Sequence, residues 1–269
     1  YIAVMVIAGI LISYALLVAT SIATAIMPIV GVLFLIAFFW VVRSYDSTTR
    51  GHMYLLLVLI IVSIIFWGLF WQMFSSVVLF LERDVDRNIL GVLAPANSFL
   101  FIESAFIIIL GIPFASLWTH LQKNNRDISV TNKFALSMLV VSGAMWLLVL
   151  SIKIHPQSMV EAGWLVSFYV SMTIAEMLLS PIGLSIVTKL APPQLTGLMM
   201  GVWFMALGFG GSLSGVLAER ASIPKGITAL ASTHAIYANA FTEFAWLALG
   251  VAVILFILSP WLKKLAPGV

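Results

Sequence analysis

Apolar runs of about 20 residues, each long enough to cross a bilayer, follow one another along this chain and limit its possible folds more than any other feature. In hydrocarbon every backbone amide needs an internal hydrogen-bond partner, and runs of this length provide it as helices. Of the 269 residues 62% are hydrophobic and 9% are charged, which is too apolar for a water-soluble domain. We therefore predict an all-α polytopic membrane protein with about eight transmembrane helices. The runs are residues 1–20, 22–42, 53–81, 99–118, 134–152, 163–187, 195–218 and 238–262.

Charged residues lie mostly in the connectors and predict the orientation of the chain. One set of connectors, together with the tail, carries eight basic residues against two acidic ones, Asp46 and Asp127. The other set balances five basic residues with five acidic ones. The positive-inside rule places the first set in the cytoplasm, so both ends of this segment are expected on the cytoplasmic side of the inner (plasma) membrane. Its basic residues are Arg43, Arg50, Lys123, Arg126, Lys133, Lys189, Lys263 and Lys264.

The beginning of the chain differs from the rest. Tyr1 already stands inside an apolar run with no polar leader, and we expect the chain to be the back part of a longer protein. Pro28 is expected to mark a short connection between the first two runs, so that residues 1–45 form a transmembrane hairpin. The longer, more polar loops that follow predict a six-helix bundle over residues 46–269.

The residue types exclude several kinds of chemistry. The chain has no cysteine, and its four histidines show no paired spacing for a metal, so neither a metal nor a cofactor is expected. The basic residues sit in short connectors rather than in one patch, so no nucleic-acid partner is expected. No Ser and His pair, Asp dyad or metal-ligand motif lies within the runs, which leaves an intramembrane hydrolase without support and predicts no catalytic residue.

Glu176 is the acidic residue that most needs explaining, because it falls in the middle of an apolar run. A carboxylate at the bilayer centre is costly, and it normally faces a bundle interior or an aqueous cavity on a substrate or proton path. Burial without a neighbouring cation favours the protonated form, which is what a proton-coupled carrier uses. The alternative is a packing role, paired with a group on another helix. The residues that share its helical face are Tyr169, Thr173, Ser180 and Gly183.

Two other glutamates lie within apolar runs. Glu103 falls in a run but only about a turn from its outer end, so a cavity-facing and a solvated position are both open. Glu243 is expected near a helix start, where a negative charge is favourable, and we predict a structural role for it.

Proline and glycine predict where helices bend and touch. Pro181 lacks an amide proton, so a bend or loosening is expected within a turn of Glu176. The four-residue spacings of Gly197 with Gly201 and of Gly211 with Gly215 predict close helix packing.

Several aromatic and amide side chains are predicted to line a cavity or to lie in the core. Trp67, Trp71 and Trp203 lie away from the expected interfacial belts, which favours a lining or core role. Gln72 lies at the polar end of its run, and its hydrogen-bonding positions need partners there.

Four stretches together resemble the proton-dependent oligopeptide transporter family of the major facilitator superfamily. They are GLFWQMFSS at 68–76, NILG and NSF within 88–99, AEMLLSPIGLSIVTKLAP at 175–192 and MGVWFMALGFGG at 200–211. The resemblance covers the whole chain and implies the C-terminal half of such a transporter, an inter-bundle hairpin followed by the C-terminal six-helix bundle of a major facilitator fold. The implied partner is the missing N-terminal bundle of the same protein. The implied activity is import of di- and tripeptides with protons by alternating access.

The resemblance also implies site residues. Glu176 and Ser180 match the groups that receive the amino end of the peptide, Trp203 matches an aromatic pocket wall, and Gln72 also matches. Trp67 and Trp71 are predicted as further lining residues.

Two departures concern proton coupling. Many members have a titratable carboxylate where this chain has Trp71, and an asparagine followed by proline where it has Glu103 and Ser104. We hypothesise that Glu103 faces the same cavity as Glu176 and shares a proton with it.

The alternative to a peptide transporter is a different class of protein, a proton-relaying or scaffold membrane subunit without an organic substrate.

Overall fold

The computed structural model describes residues 6, 7, 9, 14, 20–89, 91–124, 126 and 128–267. The chain divides into two compact units, residues 1–50 and 51–269. Six helical segments of the described residues are long and apolar enough to cross a membrane, and Ile26–Val42 is a shorter apolar helix. The predicted all-α membrane architecture is confirmed. The helices are α1 Thr20–Val42, α2 Ser47–Phe70, α3 Ser76–Asp84, α4 Leu100–Lys123, α5 Val130–Ile154, α6 Ala162–Leu190, α7 Thr196–Arg220 and α8 Leu230–Leu265.

Both prolines lie inside continuous helices, and the bend or loosening expected near Pro181 stays a prediction. Pro28 lies inside α1, so the predicted connection at that position is wrong. Pro181 lies inside α6, which continues through it to Leu190. A proline removes one helical donor but already has a helical φ, so surrounding packing can carry a helix past it. The first predicted run falls mostly outside the described residues, and the hairpin over residues 1–45 stays a prediction.

The first long span is interrupted where one helix was predicted over residues 53–81. A short 3-10 helix, Trp71–Phe74, separates α2 from α3. Ser75 follows it with φ −123° and ψ −94°, which is outside the helical region. The interruption therefore lies directly at Gln72, the polar residue of this span.

The last helix starts earlier than its apolar run. α8 begins at Leu230, eight residues before the predicted start at 238, so Glu243 lies well inside the helix and is exposed. The predicted position of Glu243 near a helix start is wrong, and the favourable interaction with the helix terminus is absent because that effect fades within the first turn.

Helix α5 is the centre of the six-helix unit. It packs along α8 and α6, and serine hydroxyls fix both contacts. Ser137 Oγ donates to the carbonyl of Ala175 in α6 at 2.7 Å, and Ser142 Oγ donates to the carbonyl of Ala245 in α8 at 2.9 Å. Helix α6 also contacts α4 and α7. No residue of α4 is fully buried, so this helix leaves much apolar surface open.

The glycines that contact other helices are not the ones predicted. A Cβ at Gly197, Gly201, Gly211 or Gly215 would meet nothing within 4 Å, so the expected close packing at these two spacings is absent from the described residues. Close contacts occur instead at Gly210, which lies on Trp67, and at Gly183, which lies on Trp203. Sequence spacing identifies a face, but the neighbouring helix decides which face is used.

The two predicted sets of connectors lie at opposite ends of the unit. At one end the short strands Val85–Asp86 and Val160–Glu161 pair in parallel, and Asn88–Ile89 pairs with Val92–Leu93 around Gly91. At the other end the start of α2 meets the end of α8, where a Cβ at Gly51 would lie 2.6 Å from the carbonyl oxygen of Leu265. Alternating helix direction requires this segregation, and it is confirmed for these connectors.

Asp46 caps the start of α2. Its carboxylate accepts the backbone N–H groups of Thr48 and Thr49 at 3.0 and 3.2 Å and the Thr49 hydroxyl at 2.7 Å. These hydrogen bonds, the Thr49 hydroxyl first, lower the pKa of Asp46. The acidic residue thus satisfies helix-terminal N–H groups.

Candidate functional site

The polar stripe of α6 faces the protein, as predicted. Tyr169 and Thr173 are fully buried, and Gly183 is buried beside an indole ring. The Tyr169 hydroxyl donates to the carbonyl of Met73 at 3.1 Å, which ties α6 to the interrupted part of the first span. Glu176 follows two turns later and is half-buried. The stripe therefore runs from the helix interruption into the carboxyl site.

Glu176 and Glu103 meet between α6 and α4. The two carboxyl groups lie close enough to interact electrostatically. Ser104 Oγ donates to Glu103 Oε2 at 3.1 Å, and Glu176 Oε2 is buried with no hydrogen-bond partner among the described residues. No ion pair joins either carboxylate to a basic side chain in the part of the chain that the structure describes. That the two glutamates face one cavity and share a proton stays a prediction.

A hydrogen bond between two carboxyl groups requires a proton on one of them, because a carboxylate only accepts. Two carboxylates side by side in a poorly hydrated site repel each other strongly. A cation that enters relieves the repulsion and can replace the proton. The pair can therefore hold either one proton or one cationic group such as an ammonium.

Ser180 lies one turn after Glu176 on the same face and is half-buried. Contact of its hydroxyl with a substrate stays a prediction. Continuation of α6 through Pro181 keeps this spacing helical.

Trp203 is more deeply buried than a residue that only lines a pocket. The residue is 2% exposed, and its indole packs on Gly183 so closely that a Cβ there would collide with the ring. Phe134 contacts it edge-on with ring centroids 6.3 Å apart. Trp203 thus joins α7 to α6 and α5 below the carboxyl site, and a part in binding stays a prediction.

Gln72 is fully buried, and its amide is engaged by protein groups. Nε2 donates to the carbonyl of Gly68 at 3.1 Å and to the carbonyl and hydroxyl oxygens of Ser214 at 3.0 Å each. Oε1 accepts the hydroxyls of Ser76 at 2.8 Å and Ser75 at 3.4 Å. The expected need for partners is confirmed, and Gln72 holds the helix interruption against α7. Contact with a substrate stays a prediction.

Two indole donors lie beside this interruption. The rings of Trp67 and Trp71 have centroids 6.1 Å apart, and Trp67 is 6% exposed. Both Nε1 atoms are buried without a hydrogen-bond partner in the described part of the chain. An unpaired buried N–H is costly, so the two indoles are candidates for donating to a bound acceptor or to water.

Sequence reasoning missed a second buried acid, Asp84, which it had counted as a connector residue. Asp84 is 1% exposed, accepts the Thr233 hydroxyl at 3.0 Å, and lies 3.8 Å from Nε2 of the buried His234. The two residues are far apart in sequence and meet only because α3 contacts α8. The sequence around a single acidic residue at the end of an apolar run does not show that the residue is buried.

The fold can be compared with known structures now that its geometry is described. It is similar to a mutant of the peptide transporter POT crystallised in complex with alafosfalin, with a TM-score of 0.81 and 23% identity. The match covers 99% of this chain and 53% of that chain. The likeness shows the fold, in which apolar spans of a multi-pass membrane protein enclose polar groups.

The model of the POT family matches residues 5–239, and the chain belongs to that family. It is 27% identical to dipeptide and tripeptide permease B of Shigella dysenteriae over 253 residues, which are 91% of this chain and 50% of the permease. It is 28% identical to dipeptide and tripeptide permease A of Erwinia pyrifoliae, over 93% of this chain and 51% of that permease. The chain spans about half the length of these relatives and corresponds to their C-terminal half.

Proposed function

We propose that the full-length protein is a proton-coupled symporter that imports di- and tripeptides by alternating access. This chain supplies its C-terminal six-helix bundle, residues 46–269, preceded by an inter-bundle hairpin over residues 1–45. The N-terminal bundle of the same protein is the partner that completes the cavity. The protein lies in the inner membrane with both ends of this segment in the cytoplasm, as the distribution of basic residues favours.

The observation that carries the proposal is that Glu176 and Glu103, both in apolar spans, lie close enough to interact electrostatically. A peptide presents an ammonium group at physiological pH, and a carboxyl pair that has lost its proton is a favourable partner for it. Binding of the ammonium and release of the shared proton are then linked at one place. This linkage is what symport requires, because proton and peptide occupancy must depend on each other.

The residues near Glu176 and Glu103 are proposed to bind other parts of the peptide. Ser180 lies one turn along α6 and contacts the amino end of the peptide. Trp67 and Trp71 offer indole N–H groups to peptide carbonyl or carboxylate oxygens, and Trp203 supports the wall behind them. Gln72 lies at the edge of the residues proposed to line the binding cavity. The membrane permeases among the relatives support the same substrate class.

Uptake of a labelled dipeptide by the full-length protein in liposomes tests the proposal. An inward proton gradient should drive accumulation, and Glu176→Gln should reduce both accumulation and peptide affinity measured by calorimetry. Glu243→Gln, an exposed glutamate of α8, is the matched control and should leave both unchanged. Absence of dipeptide uptake together with intact proton conduction would favour the alternative, a proton-relaying subunit without an organic substrate.

A further inference from the structure

A second group of buried titratable side chains lies where α3 meets α8, at the end of the six-helix unit that carries the short strand pairs. It consists of Asp84, His234 and Tyr237, whose exposed fractions are 1%, 3% and 0%. Asp84 Oδ2, both ring nitrogens of His234 and the Tyr237 hydroxyl are buried without a hydrogen-bond partner in the described part of the chain. Unpaired polar atoms are costly inside a protein, so their gathering at one place calls for an explanation.

The imidazole and the carboxyl group face each other across a short gap. His234 Nε2 lies 3.8 Å from Asp84 Oδ2, while Asp84 Oδ1 accepts the Thr233 hydroxyl at 3.0 Å. The gap is too long for a hydrogen bond but short enough for an ion pair. With a proton on Nε2, the imidazole can donate to Oδ2, and a small side-chain movement then closes the gap to a charge-assisted hydrogen bond.

When His234 is neutral and Asp84 is ionised, the cluster buries one negative charge that no buried cation balances among the described residues. Arg83 attracts Asp84, but it is exposed, so water weakens the attraction. A single added proton removes this excess charge from the interior. On His234 it gives an ion pair, and on Asp84 it gives a neutral pair, so the proton belongs to the two residues together.

The other ionisable groups around the cluster do not replace this proton. Three of them are exposed on α3, at the end of α5 and in the loop before α8, and they are Glu82, Lys153 and Lys225. His155 is held by the Ser151 carbonyl at 2.8 Å and lies 3.9 Å from Glu161, which is exposed. Tyr237 is a phenol and is neutral near pH 7. Asp127 is the only charged side chain outside the described ranges, and in the sequence it stands between α4 and α5.

A cavity of about 410 Å³ lies beside the cluster. The buried Asp84 and Thr233 line it together with the exposed Lys225 and Thr228, so the cavity leads from the surface to the carboxyl group. Water in the cavity can deliver a proton to Asp84, from which it can pass to His234.

We propose that Asp84 and His234 together form a proton-binding site, and that the bound proton strengthens the contact between α3 and α8. The site is separate from Glu176, which lies 14 residues beyond the start of α6 at this end, about 21 Å along that helix. It does not depend on what the protein transports. The distribution of basic residues places this end outside the cytoplasm, so the site responds to the pH on that side.

The stability of the purified full-length protein at different pH values tests the site. The folded protein binds the proton and the unfolded chain lacks the pairing, so this stabilisation is present at mildly acidic pH and is lost as the pH rises. Relative to the variants below, the wild-type ratio of folded to unfolded protein should increase by up to about tenfold for each unit of falling pH. Denaturant unfolding in detergent between about pH 5 and pH 8, the range in which histidine changes charge, measures this ratio.

Two single variants should each remove the pH-dependent gain. Asp84→Asn keeps the size of the side chain and an acceptor for the Thr233 hydroxyl, and His234→Gln keeps a polar side chain. The double variant should lose no more of the gain than either single variant, because the proton is shared. The same dependence on pH in the wild-type protein and in both single variants would overturn the proposal.

His155→Gln is the matched control, because it removes a histidine at the same end that faces an exposed acid. It should keep the gain, and a loss as large as in His234→Gln would contradict a specific site. Glu176→Gln should keep the gain as well. Loss of the gain in Glu176→Gln together with its retention in His234→Gln would assign the pH dependence to the glutamates and overturn the proposal.

Spectroscopy detects the proton without depending on stability. Ring-nitrogen NMR of the histidine-labelled protein reports the charge of His234, and the infrared band of protonated carboxyl groups reports Asp84. A signal of one of the two residues that changes across this pH range, and is absent from its variant, supports the site. Signals of both residues that stay constant across the range would refute it.

Discussion

At the scale of single residues, the carboxyl pair is the feature with most consequences for function. Both glutamates lie in apolar spans, and a shared proton requires them to lie near each other. The sequence shows each glutamate as a costly residue. It does not show that they are near each other, because that depends on how α4 and α6 are placed in the bundle.

Glu103→Gln should separate proton coupling from peptide movement. The amide keeps the size and polarity of the side chain but cannot exchange a proton with Glu176. Proton-driven accumulation of a labelled dipeptide should therefore fall towards the external concentration, while exchange of labelled for unlabelled peptide continues. Both are measured in liposomes across a series of pH values. An unshifted pH profile with full accumulation would instead place Glu103 in solvent at the mouth of the protein.

The buried cluster of Asp84, Thr233 and His234 should be structural. Asp84→Ala removes one of the two acceptors of the Thr233 hydroxyl, the other being the Leu230 carbonyl, and leaves His234 buried without its acidic neighbour. We expect a loss of about 1–3 kcal/mol in stability, seen as a lower unfolding temperature of the detergent-purified full-length protein. Glu82→Ala, at an exposed position two residues earlier, should change it little. Equal effects of the two substitutions would contradict a specific role for the cluster.

At the scale of helices, the sequence predicts which membrane spans exist better than it predicts where each helix begins and ends. Apolar length and composition are local properties, so the spans after residue 46 are found where they were expected. The interruption at Trp71–Phe74 lacks glycine and proline, so no local breaker signals it, and Gln72 bonded to Ser214 is a tertiary cause. The early start of α8 is missed because a helix that continues beyond the bilayer is no longer apolar.

Glycine contacts give the sharpest test of helix packing. Gly183→Ala should force the Trp203 indole to shift, because the added Cβ would collide with its ring. Overpacking of this kind costs about 1–3 kcal/mol and should lower the unfolding temperature. Gly211→Ala is the control, since its Cβ would meet nothing within 4 Å. A smaller ring in Gly183→Ala/Trp203→Phe should recover part of the loss, and no recovery would argue against this contact as the cause.

At the scale of the whole molecule, the two ends of the six-helix unit have different chemistry. One end carries Lys133, Lys189 and Lys263, and the other carries the short strand pairs and the Asp84 cluster. The connectors rich in basic residues therefore lie together at one end of the folded unit. Which end faces the cytoplasm follows from the positive-inside rule and stays a prediction.

Cysteine labelling in intact cells tests that orientation. This chain has no cysteine, so once any cysteines of the remaining half are replaced, single cysteines can be introduced into the full-length protein. Ser47→Cys and Asn124→Cys, at the basic end, should be protected from an impermeant thiol reagent, whereas Asp86→Cys and Lys225→Cys should react. All four positions are exposed, so burial does not explain a difference. Permeabilised cells provide the control, because all four should then label. Labelling of Ser47→Cys and Asn124→Cys alone in intact cells would show the opposite topology, with the basic end outside the cell.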